Sequence, residues 1–302
     1  MTLFGINLQL ERYPVDLALS TARFLEDLGF HAVFVNDHYM KPDGNEIPDA
    51  YLTLSAIATQ TEKIRIGTVV TPIPFRPAPL LAKMVATLDN ISKGRFLFGV
   101  GAGWNKTEFE AYGMEFLPPA ERVTKTIEGL KLMKHMWTEK EVTFNGVYNH
   151  VKGAVLLPKP VQKPHPPILI GSTSPRMCRM VARLADGWIP SFLTPEEYRQ
   201  RMEKILEDAE KMGRRRRDFI FVHNTRYAPA LSREEGLKLL SESQFGRLRE
   251  SFLTGLPEEC TQQLQRYIDL GVDLILLRLH HVHHIQKQIL TIRDEILPRL
   301  TS

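Results

Sequence analysis

The sequence predicts an α/β chain folded as a single (β/α)8 TIM barrel with insertions. Three observations carry that reading. β-prone runs alternate with helically spaced segments from the first residues onward, glycine or proline marks most of the switches, and the count closes at eight of each. At 302 residues and 43% hydrophobic content, the chain can bury the core such a barrel needs. Residues 1–302 are expected to form one domain, interrupted at about 113–165 and 231–255.

Leu3 to Leu8 is the first strand. Val15 to Leu28 follows with helical spacing and closes at Gly29, a natural C-cap residue. His31 to Val35 is the second strand, and a turn-rich loop through Pro42, Gly44 and Pro48 leads to a helix from about Ala50 to Thr59. Ile64 to Val70 is the third strand; Pro72, Pro74, Pro77 and Pro79 then extend the chain toward a helix from about Leu80 to Ile91. The fourth strand, Arg95 to Gly101, runs into Gly99, Gly101 and Gly103, which strip side chains away where backbone can approach a flat ligand. Asn105, with Glu108 three residues on, reads as a capping box that opens a helix at once.

The rhythm breaks after residue 112. A helix from about Arg122 to Trp137 precedes Val142 to Val151, where Asn145-Gly146 between short β-prone runs signals a hairpin. Pro158, Pro160, Pro164, Pro166 and Pro167 stiffen the approach to the fifth strand, Ile168 to Gly171. A helix from about Pro175 to Ala185, a strand at Gly187 to Ile189, a helix from about Pro195 to Met212 and a strand at Asp218 to Tyr227 resume the alternation. Leu231 to Gly255 is polar and ambiguous, with a helical insertion as one reading. A helix from about Glu258 to Leu270, a strand at Leu274 to Leu279 and a terminal helix complete the set.

The net charge of +4, from 39 basic and 35 acidic residues, is too mild for a nucleic-acid binder. No segment approaches the ~18 apolar residues of a membrane span. Cys178 and Cys260 are the only cysteines, so no disulfide framework or paired-thiol metal site is expected, and the chain reads as cytoplasmic.

In such a barrel, ligands meet the C-terminal ends of the strands. Asn36-Asp37-His38-Tyr39 follows the second strand; His38 can donate a proton or hold a ring nitrogen, against the plainer reading of a locally bonded loop histidine. Thr71 follows the third strand, where a ligand contact competes with a simple proline-turned strand end, and Arg76 lies farther on. The fourth-strand segment departs from G-x-G-x-x-G because Trp104 takes the place of the final glycine, so close approach to a planar ring suits it better than a phosphate cradle. Gly171-Ser172-Thr173-Ser174-Pro175-Arg176 offers a helix start with free amides as an anion site, although ordinary capping explains Ser174 equally well. Ser191 and Phe192 after the sixth strand, and one of the histidines of His280-His281-Val282-His283-His284 after the eighth, are candidates for a substrate pocket; their spacing is poor for a metal.

Several of these pieces together carry a family likeness: Asp37-His38, IRIGTVVTP at 64–72, the glycine-rich run at 81–113, PKPVQKPHPPILIG at 158–171 and ADGWIP at 185–190. In this order and spacing the chain resembles the bacterial luciferase-like flavin and deazaflavin oxidoreductases, most closely their coenzyme F420-dependent branch. The resemblance implies F420 bound at the C-terminal face, with FMN as the alternative cofactor. It implies a ring against Val69, Val70, Thr71 and the segment Gly101, Ala102, Gly103 and Trp104, and a phosphate near Gly171, Ser172, Thr173, Ser174 and Arg176. It also implies a non-prolyl cis peptide at Val69-Val70, and catalytic roles for His38 and its neighbour Asp37. Trp104, Ser191 and His280 are then expected to line the substrate pocket, with no metal. One departure stands out. Sugar-phosphate dehydrogenases of this branch carry a glutamate as catalytic acid where this chain has Trp104.

The expected activity is hydride transfer between F420 and a small organic substrate. An FMN-dependent luciferase-like monooxygenase and a non-catalytic flavin-binding protein are the competing readings. A homodimer is expected from the family habit, with no nucleic-acid or membrane partner.

Overall fold

The computed structural model describes residues 2–40, 46–229, 251, 253–279 and 284–300. Eight parallel strands close into a barrel: β1 (Leu3–Leu8), β2 (Ala32–Val35), β3 (Arg65–Thr68) with its continuation β4 (Thr71–Pro72), β5 (Phe96–Gly101), β8 (Ile168–Ile170), β9 (Gly187–Trp188), β10 (Ile220–Pro229) and β12 (Leu274–Leu279). β6 (Val142–Asn145) and β7 (His150–Ala154) form the separate antiparallel hairpin predicted around Asn145-Gly146. β11 (Leu253–Gly255) pairs in parallel with the end of β10. This corrects the helical reading of that short piece, while residues 231–250 lie outside the described residues.

The barrel interior is apolar because alternate residues of each strand turn inward. Ala32, Phe34, Leu97, Leu169, Val222, Leu274 and Leu276 pack there, with Val69 and Val70 against them. The opposite faces of the strands meet the helices, among them α1 (Val15–Asp27), α2 (Ala50–Gln60), α3 (Ala78–Ile91), α5 (Pro119–Thr138) and α6 (Pro175–Leu184). Helix α1 closes at Gly29, whose φ of +80° is a conformation glycine adopts without strain. Arg95 sits where two helices end, donating to the carbonyls of Ala58, Thr61, Ile64 and Ser92 that have no helical partner. Trp137 of α5 donates its indole N–H to Ala82 of α3 at 2.9 Å, satisfying the polar atom of a buried ring.

Two local expectations change. The third strand is not continuous to Val70: it stops at Thr68 and resumes at Thr71, and the intervening Val69-Val70 peptide is cis. That non-prolyl cis bond, a geometry seen in well under ~0.1% of such links, stands where the family resemblance implies it. The second change concerns α4 (Lys106–Ala111), which begins after Asn105 but without a side-chain cap. Glu108 does not turn back to Asn105, because its carboxylate is engaged elsewhere.

Candidate active site

Followed upward through the barrel, the inward positions change from apolar to polar. On β1 the series runs Leu3, Gly5, Asn7 and on to Gln9 and Glu11; on β10 it runs Val222 to Asn224; on β12 it runs Leu276 to Arg278. These ends, with those of β2, β4, β5, β8 and β9, surround a cavity of about 500 Å³ at the C-terminal face.

At one edge stands His38. Its Nδ1 lies 3.0 and 3.2 Å from the two carboxylate oxygens of Glu108, which is buried and also accepts the backbone N–H of Tyr39 and of Met40. The carboxylate therefore fixes both the imidazole and the loop that carries it. Trp104, 69% exposed at the rim, approaches His38 edge-on with ring centroids 5.9 Å apart. Asp37 does not line the cavity. It is fully buried and forms a two-pronged ion pair with Arg76, at 2.7 and 3.0 Å. Arg76 also reaches Asp49, the N-cap of α2, at 3.4 Å and lies 5.1 Å from the rings of both Tyr39 and Tyr51. Burial alone would lower the pKa of Arg76, and the Asp37 carboxylate reverses this and holds it above its ordinary value. Asp37 thus anchors the His38 loop from beneath.

The wall on the β3–β5–β8 side is apolar. Val69 and Val70 face the cavity there, beside Gly101, Ala102, Gly103 and Trp104. Gly101 and Gly103 line the cavity as expected, and Gly99, Gly101 and Gly171 serve a second purpose. A Cβ on Gly99 would meet the Thr68 carbonyl oxygen at 1.8 Å, and Cβ atoms on Gly101 and Gly171 would meet the methyls of Val70 at 2.8 and 2.5 Å. These glycines make room for the protein's own bulge, which faces the cavity beside the backbone of Gly101 and Gly103. Thr71 turns away to bond the hydroxyl of Tyr51 at 3.0 Å, leaving Pro72 at the cavity.

Beyond this wall lies the start of α6. Gly171, Ser172 and Thr173 line the cavity, and Ser174 caps the helix by accepting from Met177 N–H. Free amides at a helix start favour an anion. Arg176 is not aimed there, since its guanidinium donates to Ala120 and Thr124 of α5.

The opposite wall was largely missed in the sequence. Asn7 donates to Asn224 at 3.0 Å, which donates to Ser191 at 2.7 Å. Glu11 and Arg278 approach to 3.9 Å, and Phe192 lies beneath Arg226 and Arg278. Burial, reinforced by the charge of Arg226, lowers Arg278 to about 10. Ser191 is where the sequence placed it, and His280 lies outside the described residues. Counting two residues at a time along each strand to its polar end would have found Asn7, Gln9, Asn224 and Arg278.

A model of the luciferase-like monooxygenase family matches residues 2–247. The chain belongs to the luciferase-like monooxygenase family. Within it, the F420-dependent glucose-6-phosphate dehydrogenase of Microbacterium testaceum (strain StLB037) is 32% identical, across 98% of this chain and 97% of that protein. The FMNH(2)-dependent dimethylsulfone monooxygenase of Pseudomonas putida is 29% identical over 67% of this chain and 55% of its own length. An F420-dependent secondary alcohol dehydrogenase, solved with an F420–acetone adduct, has a TM-score of 0.86 at 23% identity, covering 100% of this chain and 99% of that one. That last likeness speaks for the fold. Of the two sequence relatives, the F420-dependent one is matched over nearly the whole of both chains.

Among the described residues, no group of three or more histidine, cysteine, aspartate or glutamate side chains is gathered to hold a metal, and no helix is long and apolar enough to cross a membrane.

Proposed function

We propose that this chain transfers hydride between coenzyme F420 and a small organic substrate held in the cavity, with His38 carrying the proton. It is an F420-dependent oxidoreductase of the luciferase-like family. The observation that carries the assignment of roles is the His38–Glu108 pair. With Nδ1 bound to a buried carboxylate, Nε2 is the nitrogen left for a substrate oxygen, and Glu108 stabilises the ring when it takes up a second proton.

The donor set fits a deazaflavin. Val69 and Val70 offer an apolar seat for a ring, the backbone of residues 101–104 borders it, and the amides and hydroxyls of Ser172 and Thr173 suit a phosphate. When bound, F420 supplies or accepts the hydride. The chain's own part is to hold the ring, to orient the substrate oxygen at His38 and to keep water out with Trp104 over the mouth. Trp104 in place of a carboxylic acid disfavours sugar-phosphate oxidation, and Ser191 forms part of the substrate wall. The FMNH(2)-dependent relative keeps an FMN enzyme as the second reading.

Fluorescence titration with F420 and with FMN, followed by turnover on an alcohol and aldehyde panel, tests the proposal. Binding of F420, with turnover lost in His38→Ala, is expected; tight FMN binding without F420 binding would overturn it.

The remaining features are read from the surface. Leu52 on α2 and Leu80 on α3 are 74% and 52% exposed, and these faces are proposed to meet in a homodimer. Cys178 and Cys260 are free thiols, which suits a cytoplasmic protein.

A further inference from the structure

We infer that the β1–β10 side of the cavity is a neutral hydrogen-bonding subsite, which takes a substrate group that both donates and accepts, such as a carboxamide or an alcohol. This rests on the reading of the cavity as the substrate site.

The argument begins with Gln9. Its side chain is 3% exposed, it borders the cavity, and among the described residues neither its Nε2 nor its Oε1 has a partner. Buried amides are ordinarily satisfied, and one with both halves unpaired is costly to keep unless an occupant completes it. Asn7, two residues earlier on the same inward face, gives its Nδ2 to Asn224 and leaves Oδ1 without a partner. Asn224 in turn gives its Nδ2 to Ser191, whose oxygen accepts and whose own proton remains to be donated.

A ligand that draws these buried side chains toward the cavity meets two acceptors, Gln9 Oε1 and Asn7 Oδ1, and two donors, Gln9 Nε2 and the Ser191 hydroxyl. None of these groups carries a charge. A carboxamide matches them with two N–H donors and one carbonyl acceptor, and an alcohol matches one of each. A carboxylate or phosphate has only acceptors when ionised, so it leaves both wall acceptors unsatisfied and faces their lone pairs. The charged pair Glu11–Arg278 belongs to the same wall, where Glu11 already answers the Arg278 guanidinium, so a carboxylate ligand must compete with Glu11 for it.

Benzamide and benzoate, matched in shape, are suitable probes. Their binding is followed by ligand-observed NMR on the F420-loaded protein, for wild type and for Gln9→Leu, with Gln9→Met as a second variant. F420 affinity is measured separately by fluorescence. Gln9→Leu is expected to weaken benzamide at least ~5-fold, to change benzoate less than ~2-fold and to leave F420 affinity unchanged. It is also expected to raise the melting temperature of the ligand-free protein, because an unpaired buried amide is gone. A purely structural Gln9 would give a lower melting temperature and equal losses for both probes. Equal changes for the two probes in both variants, or no benzamide binding to wild type, would overturn the subsite. Failure of wild type to bind F420 would instead overturn the proposed function.

Discussion

Placing a methyl on Gly171 tests whether the wall beside β8 is built around Val70. A Cβ at that position stands 2.5 Å from Val70 Cγ1 and 3.2 Å from the carbonyl oxygen of Ile189. Carbon atoms rest about 3.5 Å or more apart, so the methyl overlaps Val70 by about 1 Å, and the carbonyl closes the other direction. Overpacking of this kind costs about 1–3 kcal/mol, or on the order of 2–6 °C in melting temperature for a chain of this size. Val70→Ala removes the obstructing methyls and has its own cavity cost, but it gives the new methyl somewhere to go. The double variant Gly171→Ala/Val70→Ala is therefore expected to be more stable than the sum of the single losses by about 1 kcal/mol or more. Thermal and urea unfolding of the four proteins, with F420 fluorescence titration of each, reads the cycle. Gly171→Ala alone should also weaken F420, since Val70 must shift at the seat. Additivity within about 0.5 kcal/mol, or a Gly171→Ala protein as stable as wild type, would refute the reasoning.

Glu108→Gln keeps an oxygen for the amides of Tyr39 and Met40 but removes the charge beside His38. A charge-assisted hydrogen bond of about 1.5–3 kcal/mol corresponds to a fall in kcat of roughly 10- to 150-fold, with F420 affinity changed little; single-turnover kinetics and fluorescence titration separate the two. Glu128 holds the hairpin turn: burial alone would raise its carboxyl, and bonds from the Asn149 side chain and the amides of Tyr148, Val147 and Asn149 reverse this and keep it below the usual 4.5. A depressed carboxylate contributes stability that is complete above the usual value and is lost as the pH falls through the folded one. Hydrogen-exchange protection at these amides should therefore hold at neutral pH and disappear in acid, and Glu128→Gln should remove that pH dependence. Leu52→Asp with Leu80→Asp is expected to convert a dimer to monomers in sedimentation; a wild-type monomer would refute the proposed interface.

The barrel was legible because its strands are short β-prone runs set between strong punctuation, and seven of them need no more than small changes at their ends. The third strand was legible only in part: no residue type in Thr68-Val69-Val70-Thr71 marks where pairing lapses, and only the family resemblance placed the cis peptide there. His38, Val69, Val70 and Ser191 could be placed at the rim from strand ends alone. Glu108 was misread because a glutamate three residues after asparagine satisfies a local pattern. The carboxylate answers instead to a loop some seventy residues earlier. Arg176 suffered the same way, being near the helix start in sequence but tied to α5 in space. Gln9 and Asn224 carry no motif, and their meaning depends on which face of a strand they occupy.

Arg76 has a further consequence for redesign. One guanidinium grips Asp37 where the loop after β2 begins and Asp49 where α2 starts, so both ends of residues 38–48 are fastened to a single cation outside the loop. His38 and Tyr39 lie next to the first fastening, held by Glu108 as well. A redesign that removes the Arg76 charge would therefore release both fastenings at once and leave Glu108 as the remaining hold on the proton-carrying histidine.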